Sequence, residues 1–484
     1  MKYPGFIYSS YQSQALTADQ EQTWNWYVER MESQGATTEF ALYPTPGVEE
    51  IGSVAVSPGR GHFEMAGREF AVIGSTFYEI DAVGTITSRG TVLADSNPAT
   101  ISSNGDGGGQ LFVTSGGNGY NFDLGTNTLT QIAALNGKAT MGGHLDGYFI
   151  ALDANTSTFY ISALLNGTSW TTGTDFAQRS IMPDPWISMR ISGRFIWLLG
   201  EQTSEVWYNT GQSFPFAPNP SGVIQYGCAA PFSSAVLGRD IIWIGKSREG
   251  RANILRAAGF TPEVISNYPI QNAISDYVTI EDAQGDSYSD RGHNFYLLTF
   301  PSEDVTWCWD SETGQWSNRG TWISEESRFT AWRPRWHAFA FDEHRILDAE
   351  TGSVYRMDTS IHTDVDEREI RRLRRAPSLQ QDLERVFYSE FTLDVQPGLG
   401  TVSGQGVDPQ VMMRFSDDGG QTWSSEMWRS AGKIGEYGKR VEWNRLGTSR
   451  RRVFEISVTD PIPWRITGAY LKLQSSTTAQ GGGE

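Results

Sequence analysis

Gly67-Arg-Glu-Phe-Ala-Val-Ile-Gly74, followed at once by Phe77-Tyr-Glu-Ile-Asp81, reads as a turn, an apolar strand, a short polar break and an aromatic strand closed by an acid. Short apolar runs punctuated by Gly, Asn and Asp mark paired strands rather than helices. The same order of residue types returns at Gln110-Leu-Phe-Val-Thr114 with Gly119-Tyr-Asn-Phe-Asp123, and at Gly147-Tyr-Phe-Ile-Ala-Leu-Asp153 with Phe159-Tyr-Ile-Ser162. Later copies begin near Gly193, Gly238, Gly292 and Trp336, so starts fall about every 40 to 55 residues. That period, with several strands per unit, is the mark of a β-propeller, whose four-stranded blades bury their faces only against their neighbours. The expected architecture is all-β, with a propeller body over residues 51–360, interrupted by insertions and carrying six or seven blades. Two stacked β-sandwiches without a repeat are the alternative.

Outward from this body the material changes. Residues 1–50 contain a predicted helix over 17–31, opened by Thr17 and Asp19 as N-caps and closed before Gly35, then the extended connector Tyr43-Pro44-Thr45-Pro46-Gly47. This N-terminal segment can pack on either neighbour. Residues 361–384 form a charged connector, Asp364-Val-Asp-Glu-Arg-Glu-Ile-Arg-Arg-Leu-Arg-Arg375, either a short helix or extended. Strand patterns resume at 385–395, 410–415, 440–443, 452–458 and 470–473, so residues 385–474 are expected to make a C-terminal β-sandwich-like domain. Residues 475–484 offer nothing to bury and are expected to be disordered.

Composition agrees with a turn-rich β protein: 52 Gly, 24 Phe, 19 Tyr and 17 Trp stand in 484 residues, of which only 19% are charged. Cys228 and Cys308 lack zinc-ligand spacing and are too few for a disulfide framework, so both read as reduced core thiols. No basic start with an apolar run opens the chain and no run of about 18 apolar residues follows, which predicts a protein made and kept in a cytoplasm. With 38 Lys and Arg against 56 Asp and Glu, the net charge of −18 repels phosphate and argues against a sequence-reading nucleic-acid binder. Residues 361–452 hold 15 basic and 14 acidic side chains, so nearly the whole deficit lies before residue 360.

Catalytic and cofactor motifs fail on inspection. Gly245-Lys246-Ser247 has Asp240 where a phosphate loop needs its first Gly, and Gly105-Asp-Gly-Gly-Gly109 lies between strands where a dinucleotide site needs a helix start. His62, His144, His293, His337, His344 and His362 never fall at ligand spacing, and the acid pairs Asp364/Asp366 and Glu281/Asp282 are ordinary in a chain with 56 acids. Neither an enzymatic function nor a metal or cofactor is therefore expected. The sharpest motif is Ser416-Asp-Asp-Gly-Gly-Gln-Thr-Trp423, an Asp box in which Ser416, Asp418, Gly420, Thr422 and Trp423 build a hairpin turn. Sialidase-like propellers carry several such boxes with an arginine cluster, whereas one complete box stands here; a glycan-binding or sialidase-like propeller is the alternative function. Arg371, Arg372, Arg374 and Arg375 in the charged segment, and Arg450, Arg451 and Arg452, are candidate contacts for DNA or an acidic partner, or else a solvated linker and a strand-end turn.

At three separated places the chain resembles the tail nozzle, or packaged-DNA stabilisation, proteins of short-tailed bacteriophages. The first is Asn25-Trp-Tyr-Val-Glu29 with Ala41-Leu-Tyr-Pro-Thr-Pro-Gly47; the second is the basic segment to Pro377 with Phe387-Tyr-Ser-Glu-Phe-Thr-Leu-Asp394. The third is the longest: Met413 to Ser424, Gly435 to Gly447, and Arg452-Val-Phe-Glu-Ile-Ser457 with Asp460-Pro461. The resemblance implies a non-enzymatic virion component of the tail, synthesised and assembled in the host cytoplasm. It further implies a ring of six copies beneath the portal and adaptor proteins, through which double-stranded DNA passes without sequence-specific binding. Tail fibre or tailspike and tail-tip proteins are implied as neighbours, and the host cell surface as an indirect partner. Another tail component, such as a fibre or baseplate protein, is the rival within the same class.

Overall fold

The computed structural model describes residues 1–15, 18–33, 35–179, 182–247, 249–250, 252–380 and 384–475. The chain folds as two compact units, one of residues 49–306 with 331–357, the other of residues 1–48, 307–330 and 358–484.

The first unit is built from antiparallel four-stranded sheets in chain order. Gly59–Met65, Arg68–Ile73, Thr76–Ile80 and Ile86–Thr91 form one, and Thr100–Ser103, Gln110–Ser115, Asn118–Asp123 and Thr128–Ile132 the next. Met141–Leu145 to Phe176–Gln178 and Trp186–Ser192 to Phe216–Ile224 follow. Asp240–Lys246 is the centre of a fifth sheet, and the hairpin Gln284–Asp290/His293–Phe300 follows it. The last sheet, Pro334–Ala340, Glu343–Asp348 and Ser353–Asp358, is completed by Gly47–Ser53 from the other end of the propeller sequence, which closes the ring of sheets.

Local sequence sets these hairpins. Ala66-Gly67 and Asp146-Gly147 are two-residue loops with positive φ at both positions, the turn whose twist matches that of paired strands, and Gly at the second place adopts it without Cβ strain. Between sheets the core is a series of separate clusters. Phe70, Phe77 and Phe122 join the first two sheets, with Phe70 and Phe77 stacked at 5.6 Å. Phe112, Phe149 and Trp170 join the second and third, and Phe159, Trp186 and Trp207 the third and fourth. Trp197 and Trp243 belong to the cluster of the fourth and fifth, while Ile73 and Leu347 connect the first sheet to the last. Each fully buried aromatic contributes about 1.5–3 kcal/mol, so every sheet depends on its neighbours.

The second unit is a two-sheet sandwich. One sheet runs Trp26–Arg30, Phe40–Pro44, Ile466–Ser475, Val386–Val395 and Val441–Asn444; the other contains Gln315–Ile323, Gln20–Trp24, Arg372–Arg375, Arg451–Val458, Gln410–Ser416 and Met427–Ser430. Tyr3, Trp26, Phe391, Trp443, Phe454 and Trp464 lie in the core between them.

One expectation is corrected and two open ones are resolved. The helix over 17–31 is absent: Gln20–Trp24 and Trp26–Arg30 are strands, while Thr17 lies outside the described residues. Asn25 turns the chain between them at φ 59, its amide donating to the carbonyls of Gly320 and Arg371 at 2.9 Å and accepting from Gly320 N at 3.0 Å. The N-terminal segment is part of the sandwich, since Tyr3 N donates to Ala469 O and the terminal ammonium to Leu471 O. The charged connector contains a sheet strand, Arg372–Arg375, flanked by Gln20–Trp24 and Arg451–Val458. The expected disordered tail lies outside the described residues apart from Ser475, which ends a strand.

Candidate functional site

Two places in the chain concentrate polar chemistry, one in each unit. In the sandwich, the Asp box sits on the hairpin between Gln410–Ser416 and Met427–Ser430. Gly420 N donates to Ser416 Oγ at 2.7 Å, and the Asp418 carboxylate accepts from Gln421 N and Thr422 N at 2.9 Å and from the Thr422 hydroxyl. These donors hold the Asp418 carboxyl well below the usual carboxylate range. Trp423 donates from Nε1 to Gly420 O at 3.1 Å, and both Arg375 and Arg414 lie over its ring at 4.7 Å. Both guanidinia also reach the buried carboxylate of Glu455, at 2.7 and 2.5 Å. The five residues thus form one closed turn whose side chains bond to each other and to neighbouring strands.

Of the seven arginines expected as surface contacts, three are interior. Arg374 is fully buried, and its five N–H groups reach Phe6 O, Ser9 O, Thr23 Oγ1, Gly5 O and Glu21 Oε1 at 2.5–3.0 Å. Arg452 closes a two-point pair with Asp417 at 2.6 and 2.7 Å and stacks 3.9 Å from the Phe415 ring centre. Arg372 is also buried, with Nε and Nη2 lacking a partner among the described residues; burial, helped by Arg319, pushes its guanidinium down to about 9. Arg371 pairs with Glu426 at 3.1 Å and covers the Trp322 ring at 4.4 Å. Arg372, Arg374 and Arg452 are therefore withdrawn as phosphate contacts. Arg374 and Arg452 are core residues because Glu21, Asp417 and backbone carbonyls take up their charge and donors, whereas Arg372 is buried with part of its guanidinium unpartnered among the described residues. Arg451 is half-buried against Gln380, and Arg450 is exposed.

In the propeller unit, a chamber of about 530 Å³ is lined by one strand from each of seven successive sheets or hairpins, among the described residues. Gly61 to Phe63, Thr100 to Ser103, Gly142 to His144, Met189 to Ile191, Ala235 with Val236, Gly285 to Ser287, and Trp336 with His337 contribute in turn. A Cβ at Gly61 would stand 2.6 Å from the Ala99 carbonyl oxygen, so glycine lets neighbouring inner strands approach. Asp286 accepts from Ser287 N and His337 N, both at 2.8 Å, and burial raises its carboxyl. His62 is tied by Nδ1 to Trp336 O at 2.8 Å and by Nε2 to Glu69 at 2.7 Å. His337 Nε2 meets His344 Nδ1 at 2.9 Å, and burial, then His344 and His62, push it down to about 3. One arginine, Arg190, lines the chamber rather than the cluster that distinguishes sialidase-like propellers. No group of three or more His, Cys, Asp or Glu is placed to hold a metal among the described residues.

None of the chamber residues had been singled out from sequence as a site. The signal available was positional: His62, Arg190 and Asp286 each lie on the first strand of a sheet or hairpin. Their meeting becomes visible only when the repeats are superposed.

A ring of small antiparallel sheets followed by a separate β-sandwich defines a two-part, propeller-plus-sandwich protein. The sequence model described as "Bacteriophage P22 Gp10, beta-propeller" matches residues 24–362, and "Bacteriophage P22 Gp10, beta-sandwich" matches residues 371–474. The chain belongs to this Bacteriophage P22 Gp10 family, whose members are structural proteins of the phage tail nozzle. No curated protein sequence matches it significantly. Among solved structures it is similar to the N-terminal domain of Nup159, with 12% identity over 69% of this chain and 98% of that one and a TM-score of 0.41. It is also similar to virginiamycin B lyase from Staphylococcus aureus, with 10% identity over 64% of this chain and 99% of that one and a TM-score of 0.41.

Proposed function

We propose that the chain is one subunit of a six-membered tail nozzle that continues the DNA channel below the portal and adaptor, retains packaged DNA and lets it out on ejection. The observation that carries this is the paired family match, propeller over 24–362 and sandwich over 371–474, which spans both units of the chain. The role is structural rather than enzymatic. Subunits contact each other, the portal–adaptor connector, and tail fibre, tailspike or tail-tip proteins, while the host surface is met indirectly. The Asp-box turn of Ser416, Asp418, Gly420, Thr422 and Trp423 serves as a rigid structural corner of the sandwich, and exposed Arg450 is the cation best placed for a DNA or acidic-partner contact.

The net charge of −18 supports passage rather than capture, because phosphates slide along an acidic wall and adhere to a basic one. The chain is assembled in the host cytoplasm and resides in the virion tail. Ring formation takes place on the connector: the free chain at micromolar concentration is expected to sediment without a stable hexamer, and adding the cognate portal–adaptor complex is expected to shift it into a complex with six copies bound. A stable free hexamer would remove the platform requirement, and absence of any co-sedimentation would remove the assignment.

A further inference from the structure

We propose that the open edge of the sandwich is a docking surface for a second copy of this chain, and that it receives the acidic segment following the helix Tyr268–Asp276 in that copy's propeller unit. The inference rests on the ring assembly proposed above and names the two faces that meet in it.

Met427–Ser430 ends one sheet of the sandwich and Val441–Asn444 ends the other, each paired on one side only among the described residues. The two end strands are tied together: Arg429 Nε donates to Glu442 O at 3.0 Å, and Trp443 Nε1 to Met427 O at 2.8 Å. The loop between them folds back on itself, with Glu436 N donating to Lys433 O at 2.9 Å, and is held to Gly398 O by Gly435 N at 3.3 Å. Strand and loop residues therefore form one surface. Of the side chains in residues 427–452, eight are basic and two acidic, in a chain whose net charge is −18. Arg429, Lys433, Lys439 and Arg440 are exposed there, and among them Trp428, Ile434 and Tyr437 are 54%, 58% and 72% exposed. Charge alone guards an edge strand against pairing, whereas exposed Trp, Ile and Tyr beside arginine are the composition of a protein interface.

Charge also selects the occupant. The propeller unit holds 17 basic and 29 acidic side chains, and its residues 257–290 carry six acids and no base. In that stretch Asp276 and Glu281 are exposed on either side of Val278, which is 93% exposed. Val278 N donates to Glu303 Oε1 at 2.7 Å and Ser302 N to Asp282 Oδ2 at 2.9 Å, so the apolar tip and its acids sit on a fixed turn. An acidic projection with an apolar tip complements a basic, aromatic edge in both charge and polarity. Two unlike faces on one chain give a head-to-tail contact, the kind that closes a ring. Attraction between exposed charges is weak and screened by salt, which agrees with assembly on a platform.

The test mixes equal amounts of heavy-isotope-labelled and unlabelled full chain, alone at high concentration and with the cognate portal–adaptor complex. A carbodiimide then joins lysine amines to carboxylates in contact. Mixed-isotope peptides linking Lys433 or Lys439 to Asp276, Glu281 or Asp282 are expected. Lys433→Glu with Arg440→Glu should lower the yield of cross-linked pairs about tenfold or more; the Arg440 side chain is 82% exposed, so folding is spared. Asp276→Lys with Glu281→Lys should do the same, and combining both reversals should restore the yield. Absence of these links in both settings, or equal yield in the wild type and both variants, would overturn the proposal while six copies on the connector would leave the nozzle reading standing. Links in the free chain without recruitment to the connector would uphold the docking surface and remove the nozzle reading instead. If a DNA duplex binds through Lys433 and Arg440 while no mixed link forms, the edge belongs to phosphates and the proposal falls.

Discussion

The guanidinium of Arg345 and the carboxylate of Glu69 meet at 2.7 Å with at most 1% of either side chain exposed, although 276 residues separate them. Arg345 comes from the last sheet of the propeller unit and Glu69 from the first. The pair adds to the strand exchange of Gly47–Ser53 a charged lock, which Arg345 extends to the carbonyls of Asp81 and Ala82. Removing one member leaves the other charge buried. Arg345→Met should therefore lower stability by about 3–5 kcal/mol in urea unfolding, and the double change with Glu69→Gln should restore part of it. A loss below about 1 kcal/mol would show that the apolar cluster of Ile73, Leu347 and Val354 closes the ring unaided.

Trp423 is sandwiched in charge rather than buried in a core. Its replacement by Ala removes two guanidinium–ring contacts, worth about 0.5–1 kcal/mol each at a partly exposed site. Thermal unfolding should report a modest loss confined to the sandwich transition. A loss as large as that of a core tryptophan would indicate a role beyond the turn.

Acid sensitivity should trace in part to His337. Its pKa falls to about 3 in the folded chain, chiefly through burial, with His344 and His62 adding to it, against about 6.5 when unfolded. The unfolded chain therefore binds more protons between those values, so the contribution is complete above pH 6.5 and is lost as pH falls toward 3. Besides these histidines, Tyr288 faces the His337 ring at 5.9 Å, and Asp286 holds the His337 backbone N–H. His337→Gln should flatten the decline of stability across this window; an unchanged slope would assign it to other groups.

Both thiols are pushed up to about 12, mainly by burial. Cys228 and Cys308 should then resist a thiol reagent at pH 8 in the native chain, and both should react after denaturation. Fast labelling of either in the folded protein would contradict the packing of its strand.

Much of the fold was legible because strand alternation and turn residues act locally. The expected C-terminal strands at 385–395, 410–415 and 452–458 are observed as Val386–Val395, Gln410–Ser416 and Arg451–Val458. The N-terminal helix failed for an equally local reason obscured by composition. Thr23, Trp24, Trp26, Tyr27 and Val28 suit a strand, and Asn25 adopts the left-handed turn that separates two of them. The arginine segment misled because solvation of a charge run depends on partners no window contains. Arg374 meets Glu21, which lies 353 residues away, and Arg375 meets Glu455 across a strand pair. The chamber was hidden for the same reason, since the strands that line it come together only through the repeat.

The most direct test of the nozzle account is electron microscopy of the purified chain mixed with its cognate portal and adaptor ring. The account predicts a six-fold extension below the adaptor, with a central channel continuous with that of the portal. Bare connectors beside isolated propeller-sized particles would contradict it.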